Sequence, residues 1–146
     1  MAFLEMIQAI VRNEIKIAPV YITNDVLIAD SLNSYLTRWI PQTYQLVPQG
    51  LVFNLTTDQS FHESPEPHLR MRGLADGTVR FAKDDVATLK IMPAYTRMLT
   101  NRGKYLASVN QLERASHAFK EALALDPNLS AAQQGLAEST AKLRNP

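Results

Sequence analysis

Residues 61–68 read FHESPEPH, and they bring His62, Glu63, Glu66 and His68 into one short stretch. Two imidazoles and two carboxylates are a donor set that zinc or another divalent ion accepts, and a general acid and base could be drawn from the same four. Nothing local fixes their geometry. Pro65 and Pro67 exclude a helix that would align ligands at i and i+4, so an ordinary exposed proline-rich loop is the competing reading. Arg70 and Arg72 flank Met71 just before Gly73; they could grip a phosphate or carboxylate in bidentate fashion, or pair with an acid such as Asp76. His117 has Glu113 and Glu121 four residues to either side, which on a helix is a surface ladder worth a few tenths of a kcal/mol. No G-x-S-x-G, G-x-x-x-x-G-K-[ST] or G-x-G-x-x-G stretch is present. No catalytic, cofactor-binding or metal-ligating residue is therefore assigned, no cofactor is expected, and a metal-dependent or enzymatic domain using loop 61–68 is carried as the alternative. Asn54-Leu55-Thr56 and Asn128-Leu129-Ser130 fit the glycosylation sequon, but two such triplets are near chance and no modification is assigned.

The clearest architectural signal lies in Thr96 to Leu129. Leu99, Gly103, Leu106 and Ala107 recur at three- and four-residue steps and share one helical face. A glycine inside a helix costs ~1 kcal/mol against alanine, so Gly103 implies that a second helix crosses closely there. The pattern breaks at Val109-Asn110, where Asn tolerates the left-handed conformation that ends helices. A second stripe follows in Leu112, Ala115, Phe119, Ala122 and Leu123, with Phe119 the large knob between two small residues. Asp126-Pro127 stops this helix. Asn128 or Ser130 is placed to cap the next, with Gln133 completing a capping box on Ser130. In that third helix Ala132, Leu136, Thr140 and Leu143 are expected inward, and Gln133, Gln134, Glu138 and Lys142 outward.

On Gly103, Ala115, Phe119, Ala122 and Pro127 this stretch resembles a tetratricopeptide repeat, a unit of ~34 residues. It departs from the family where Leu99 replaces a common tryptophan, Arg102 the usual leucine, Leu106 the usual tyrosine and Asn110 the usual glycine. The resemblance implies two antiparallel helices followed by a terminal capping helix, and a concave groove lined by the first helix. Here that helix offers Arg97, Thr100, Lys104 and Ser108, a basic-to-polar strip able to hold an acidic peptide or chain terminus; the competing reading is the solvated outer face of a capping hairpin, since one and a half repeats make a shallow groove. Solenoids of this kind need ~3 units, so the preceding residues are expected to serve as the missing neighbour.

The chain has 146 residues, 46% of them hydrophobic and 20% charged, the balance of a globular protein with a core of its own. A net charge of +1 gives no electrostatic case for nucleic acid. The absence of cysteine excludes disulfides, zinc ribbons and thiol catalysis. No stretch approaches the ~18–20 apolar residues of a membrane span, and MAFLEMIQAIVRNEI, without a basic start, is not read as a signal peptide. Phe3, Ile7, Ile10 and Val11 predict a first helix ending near Asn13. A strand is expected over Ile15–Ile22, at an edge or starting at Pro19. Next comes a helix capped by Thr23 or Asn24, with Ile28, Leu32, Tyr35, Leu36 and Trp39 on one face, ending before Pro41. Leu46–Thr57 reads as a turn and a strand, which makes a small βαβ-like unit, parallel if the crossover is direct. After an irregular 58–77, Thr78–Phe81 reads as a short strand. Asp84-Asp85 open a helix carrying Val86, Leu89, Met92, Tyr95 and Leu99, which Pro93 kinks or restarts.

The order of IAPVYIT, a helix, YQLVPQGLVFNL, HLRMRGLADGTVRF and a terminal repeat is also similar to the soluble C-terminal region of polytopic mannosyltransferase-like membrane proteins. That resemblance carries over no catalytic residue and implies an extracytoplasmic accessory domain. The expectation is an α+β fold, with residues 1–83 as an α/β part packed on residues 84–146, the helical repeat part. Its function is expected to be non-catalytic protein interaction or scaffolding, as the tail of a larger membrane glycosyltransferase-like protein. A protein or peptide partner follows from this; a module that self-associates into a homo-oligomer through the exposed end of the repeat is carried as a further alternative.

Overall fold

The computed structural model describes residues 2–24, 34–70, 73–74 and 76–144. It is an α+β fold of two compact units, Met1–Glu63 and Ser64–Pro146. The division falls at 63/64 rather than 83/84. The irregular stretch after Glu63 belongs with the helices because both Arg102 and Arg114 donate to the Ser64 carbonyl, at 3.4 and 3.3 Å. Among the described residues no helix is long and apolar enough to cross a membrane.

In the first unit, helix α1 (Ala2–Glu14) ends with Arg12 in its last turn, where a cation complements the helix dipole. Val11 is buried and Ile7 half-buried, while Ile10, expected inward, is exposed. The strand forecast from Ile15 is only β1 (Val20–Thr23). Ile15 and Ala18 instead donate to the carbonyls of Val11 and Glu14, closing the helix end with a turn, and Pro19, lacking an N–H, delays the strand. Ile28 and Leu32 lie outside the described residues, as does the start of the helix that Thr23 or Asn24 would cap. Helix α2 (Ser34–Thr43) does not stop before Pro41 but runs through it. A proline so near the end forfeits one bond, and Tyr44 N–H closes the last turn onto the Ile40 carbonyl at 2.8 Å.

The stretch read as a turn and one strand is a hairpin, β2 (Gln45–Gln49) and β3 (Val52–Thr56), turning at Gly50 with φ 64°. The sheet order is β1-β3-β2 and both pairings are antiparallel. The expected direct parallel pairing therefore does not form. Strands β1 and β2 run the same way, but β3 stands between them, a βαβ connection split by an inserted strand. Pro48 sits in β2, an edge of the sheet, where a missing donor is tolerated. Register places Leu55 opposite Val20 on one side and Leu46 on the other. Together with Val11, Ile40 and Tyr44 these build the unit's core, flanked by Trp39, whose ring meets Tyr44 edge-on at 5.5 Å.

The second unit opens irregularly. Thr78–Phe81 forms no strand, because Asp76 captures the Thr78 N–H at 3.0 Å and its hydroxyl at 2.7 Å in a tight turn. Asp85 accepts from Ala87 N–H at 2.7 Å and starts the helical run. A π-helical turn (Ala87–Ile91) leads directly into α3 (Met92–Ser108), with Pro93 in its first turn. The proline ring cannot sit against the carbonyl four residues back, and the wider turn accommodates it. One extra residue there also shifts the preceding stripe, which leaves Val86 and Leu89 exposed.

Helix α3 ends as its sequence predicts. Asn110 has φ 61°, Gln111 N–H reaches the Leu106 carbonyl at 2.8 Å and Asn110 N–H the Ala107 carbonyl at 3.2 Å, a Schellman closure. Helices α4 (Leu112–Leu125) and α5 (Ser130–Arg144) complete the unit. Leu99, Leu106, Ala115, Ala118, Ala122 and Ala132 are fully buried around Phe119, which is 1% exposed. A Cβ on Gly103 would come within 2.7 Å of the Phe119 ring and one on Gly135 within 2.3 Å. One large ring therefore occupies the space that a glycine from each flanking helix leaves open. Of the predicted packing residues only Pro127 is not in the core: it is exposed in the α4–α5 turn and acts solely as a stop. In α5 the buried line passes through Ala132 and Ser139, and Leu143 is exposed. The expected bond from Gln133 N–H to the Ser130 hydroxyl is replaced by one to the Leu129 carbonyl at 3.0 Å, and the Gln133 side chain donates to the Pro127 carbonyl at 2.8 Å.

Candidate functional site

Helices α3 and α5 lie on either side of α4 and leave a concave groove of about 360 Å³ between them. Lys104 and Ala107 come from α3, Phe119 lies at the floor, and Gln134, Glu138 and Lys142 form the α5 wall. These three recur at four-residue steps and so share a face; the side expected to face outward lines the groove. Gln134 donates to Glu138 at 2.7 Å, which engages that carboxylate locally and leaves Lys104 and Lys142 as the cations at the rim.

The strip expected on α3 is divided. Lys104 lines the groove, but Arg97 lines a different cavity of about 560 Å³ with Arg80, Phe81, Met92 and Leu129. Seven residues of helix separate the two cations by ~10 Å along the axis. Thr100 is 5% exposed and donates its hydroxyl to the Thr96 carbonyl at 2.8 Å, so it faces no ligand. Ser108 is exposed and donates to the Tyr105 carbonyl at 2.7 Å. The departure at Arg102 has a structural reason. Its side chain is 3% exposed and its guanidinium holds the Ser64 carbonyl, a role leucine could not fill.

The four residues of loop 61–68 do not converge. Glu63 and His68 are exposed. His62 Nε2 meets Asp58 Oδ1 at 3.0 Å and Ser60 Oγ at 3.4 Å. Asp58 also accepts from the Ser60 hydroxyl and from Ser60 N–H at 2.9 Å. These bonds, Ser60 foremost and His62 after it, hold the Asp58 carboxyl down at about 2. The trio has the composition of a hydrolytic triad but not its wiring. Both partners address the same imidazole nitrogen, so the ring cannot take a proton from serine on one side while the carboxylate orients the other.

Glu66 instead reaches α4. Its Oε1 stands 3.1 Å from His117 Nδ1, and the same nitrogen stands 3.6 Å from Glu121 Oε2. Burial pushes the Glu121 carboxyl above the ordinary glutamate range; His117 and Arg102 oppose this, and Glu66 reinforces it. The i, i+4 spacing of His117 and Glu121 was legible as a ladder; that Glu66 would join it had no local signal. Arg70 is exposed, and the Asp76 carboxylate is taken up by Thr78 and held below its usual range by those two bonds. Arg72 lies outside the described residues. Compared with protein-family models, curated proteins and solved structures, the chain matches none.

Proposed function

We propose that residues 92–144 form a tetratricopeptide-type protein-interaction module whose α3/α5 groove takes an acidic peptide segment with apolar side chains. The observation that carries this reading is the groove itself: a concave surface floored by the Phe119 packing site and rimmed by Lys104 and Lys142. A short helix-lined groove favours an extended or helical peptide over a small metabolite, and two cations at its rim select for negative charge. By the weaker resemblance, the module is the extracytoplasmic tail of a polytopic glycosyltransferase-like parent; the test of that attachment is whether a multi-span segment is encoded in frame upstream, and an independent start there counts against it.

The test is fluorescence anisotropy with two labelled peptides of equal length, one rich in Glu and Leu with a free carboxyl terminus, the other with Gln in place of Glu. The acidic peptide is expected to bind, with affinity falling as salt rises. The Lys104→Glu/Lys142→Glu double variant should lose at least about tenfold, the scale of two reversed rim charges. Equal binding of both peptides, or indifference to the double variant, overturns the reading.

A further inference from the structure

Loop 61–68 does not gather its own donors, but one of them completes a set elsewhere. Glu66 lies between Pro65 and Pro67, and the backbone just before it is held by Arg102 and Arg114 through the Ser64 carbonyl. That anchoring presents Glu66 to the face of α4 that carries His117 and Glu121. The three donor atoms, Glu66 Oε1, His117 Nδ1 and Glu121 Oε2, all lie within 4.8 Å of one another. Around an ion with bonds of ~2.0–2.1 Å in tetrahedral geometry, neighbouring donors stand about 3.3 Å apart. The two distances from His117, 3.1 and 3.6 Å, bracket that edge.

Two further features set this cluster apart from ordinary surface acids. His117 Nδ1 faces both carboxylates, yet one ring nitrogen can direct at most one hydrogen, so a plain ion pair serves only one of them well. Glu121 Oε2 is shut off from solvent, and no hydrogen-bond donor reaches it among the described residues. A buried carboxylate oxygen without a donor is costly unless a cation stands in front of it. The charges around the site permit one. Glu66, Glu113 and Glu121 face Arg102 and Arg114, which leaves one net negative charge when His117 is neutral.

We propose that Glu66, His117 and Glu121 bind one divalent transition-metal ion of the zinc class, through Nδ1 of the histidine and one oxygen of each carboxylate. One imidazole nitrogen with a carboxylate oxygen at 3.1 Å and another at 3.6 Å suits zinc better than calcium or magnesium, which take six or more oxygens. A fourth position is left for water or a donor from a partner. The ion ties the 64–70 segment to α4 and so couples that segment to the helical repeat.

The experiment uses the full chain freed of metal. Co(II) is added while visible absorption is followed, then displaced by Zn(II), with isothermal titration giving the stoichiometry. One equivalent is expected, with the d–d intensity of a four-coordinate site. His117→Ala, Glu66→Gln and Glu121→Gln should each weaken binding by at least about tenfold, a loss that even outer-sphere partners of a metal can produce. His68→Ala should leave it unchanged. The His117 and Glu66 side chains are 59% and 51% exposed, so these variants should keep the parent's circular dichroism. Absence of saturable Zn(II) binding overturns the proposal, as does binding that survives loss of His117 or Glu66, or that is lost with His68.

Discussion

In Met1–Glu63 the core is assembled from large side chains of different elements: Val11 from α1, Ile40 from α2, Leu55 from β3, and Tyr44, with Trp39 against them. In Ser64–Pro146 alanines, Leu99, Leu106, Met98 and Tyr105 are buried with Phe119, and a glycine in each flanking helix is cut to fit the Phe119 ring. Both solutions exclude water. They differ in tolerance. A core of several large residues can redistribute volume when one changes, whereas a ring wedged against a glycine from each neighbouring helix fits one side-chain shape. The groove proposed to bind peptide lies directly over that ring.

Truncating each core compares them most directly. Phe119→Ala is expected to cost ~3–5 kcal/mol and Leu55→Ala ~2–4 kcal/mol. Denaturant unfolding by far-ultraviolet circular dichroism reports the first, and fluorescence of Trp39, the one tryptophan, the second. A larger loss at Leu55 would break the contrast. Overpacking sharpens it. Gly135→Ala places a methyl into the Phe119 ring and should destabilise by ~1–3 kcal/mol, an effect that Phe119→Leu in the same chain should largely cancel. If the double variant is merely additive, the ring and glycine are not the matched pair described.

Two smaller effects test local devices, one in each unit. Asn110→Ala removes the short polar side chain that eases φ 61° and should cost ~1 kcal/mol, whereas Asn110→Gly should be neutral or better. In the sheet-bearing unit Asp58 is ionised down to about 2, below its ordinary 3.8. A carboxylate depressed in the folded state adds stability that is complete above the unfolded value and disappears as pH falls through the folded one. The carboxyl resonance of Asp58 should therefore still report the charged form at pH 3, and Ser60→Ala should raise its midpoint. A midpoint near 3.8 in the parent chain would remove the Asp58–Ser60–His62 cluster from the account.

Much of the helical unit was legible because its signals are local. Gly103, Ala115, Phe119 and Ala122 sit at helical spacing, Asn110 marks a left-handed stop, and Pro127 ends a helix, each within a turn or two of what it governs. Gly135 obeys the same logic as Gly103. The groove wall at Gln134, Glu138 and Lys142 was visible as a stripe, but not which way the stripe faced. Legibility fell where a rule needed one more residue of context. The π-helical turn before Pro93 shifted a stripe that counting would continue, and Asp76 diverted Thr78 from a strand into a turn.

By itself, then, the order of amino acids determined where α3 and α4 stop and which small residues they turn toward each other, and that no cysteine or nucleotide-binding loop is available. Only the tertiary structure decided that β3 inserts between β1 and β2, that Arg102 and Arg114 hold Ser64, and that Glu66 meets His117 and Glu121. The reason is physical. Helical periodicity and capping bind residues three to five positions apart, so composition and spacing encode them directly. Strand order and a shared metal-type donor set join residues distant along the chain, and they exist only after the chain has closed on itself.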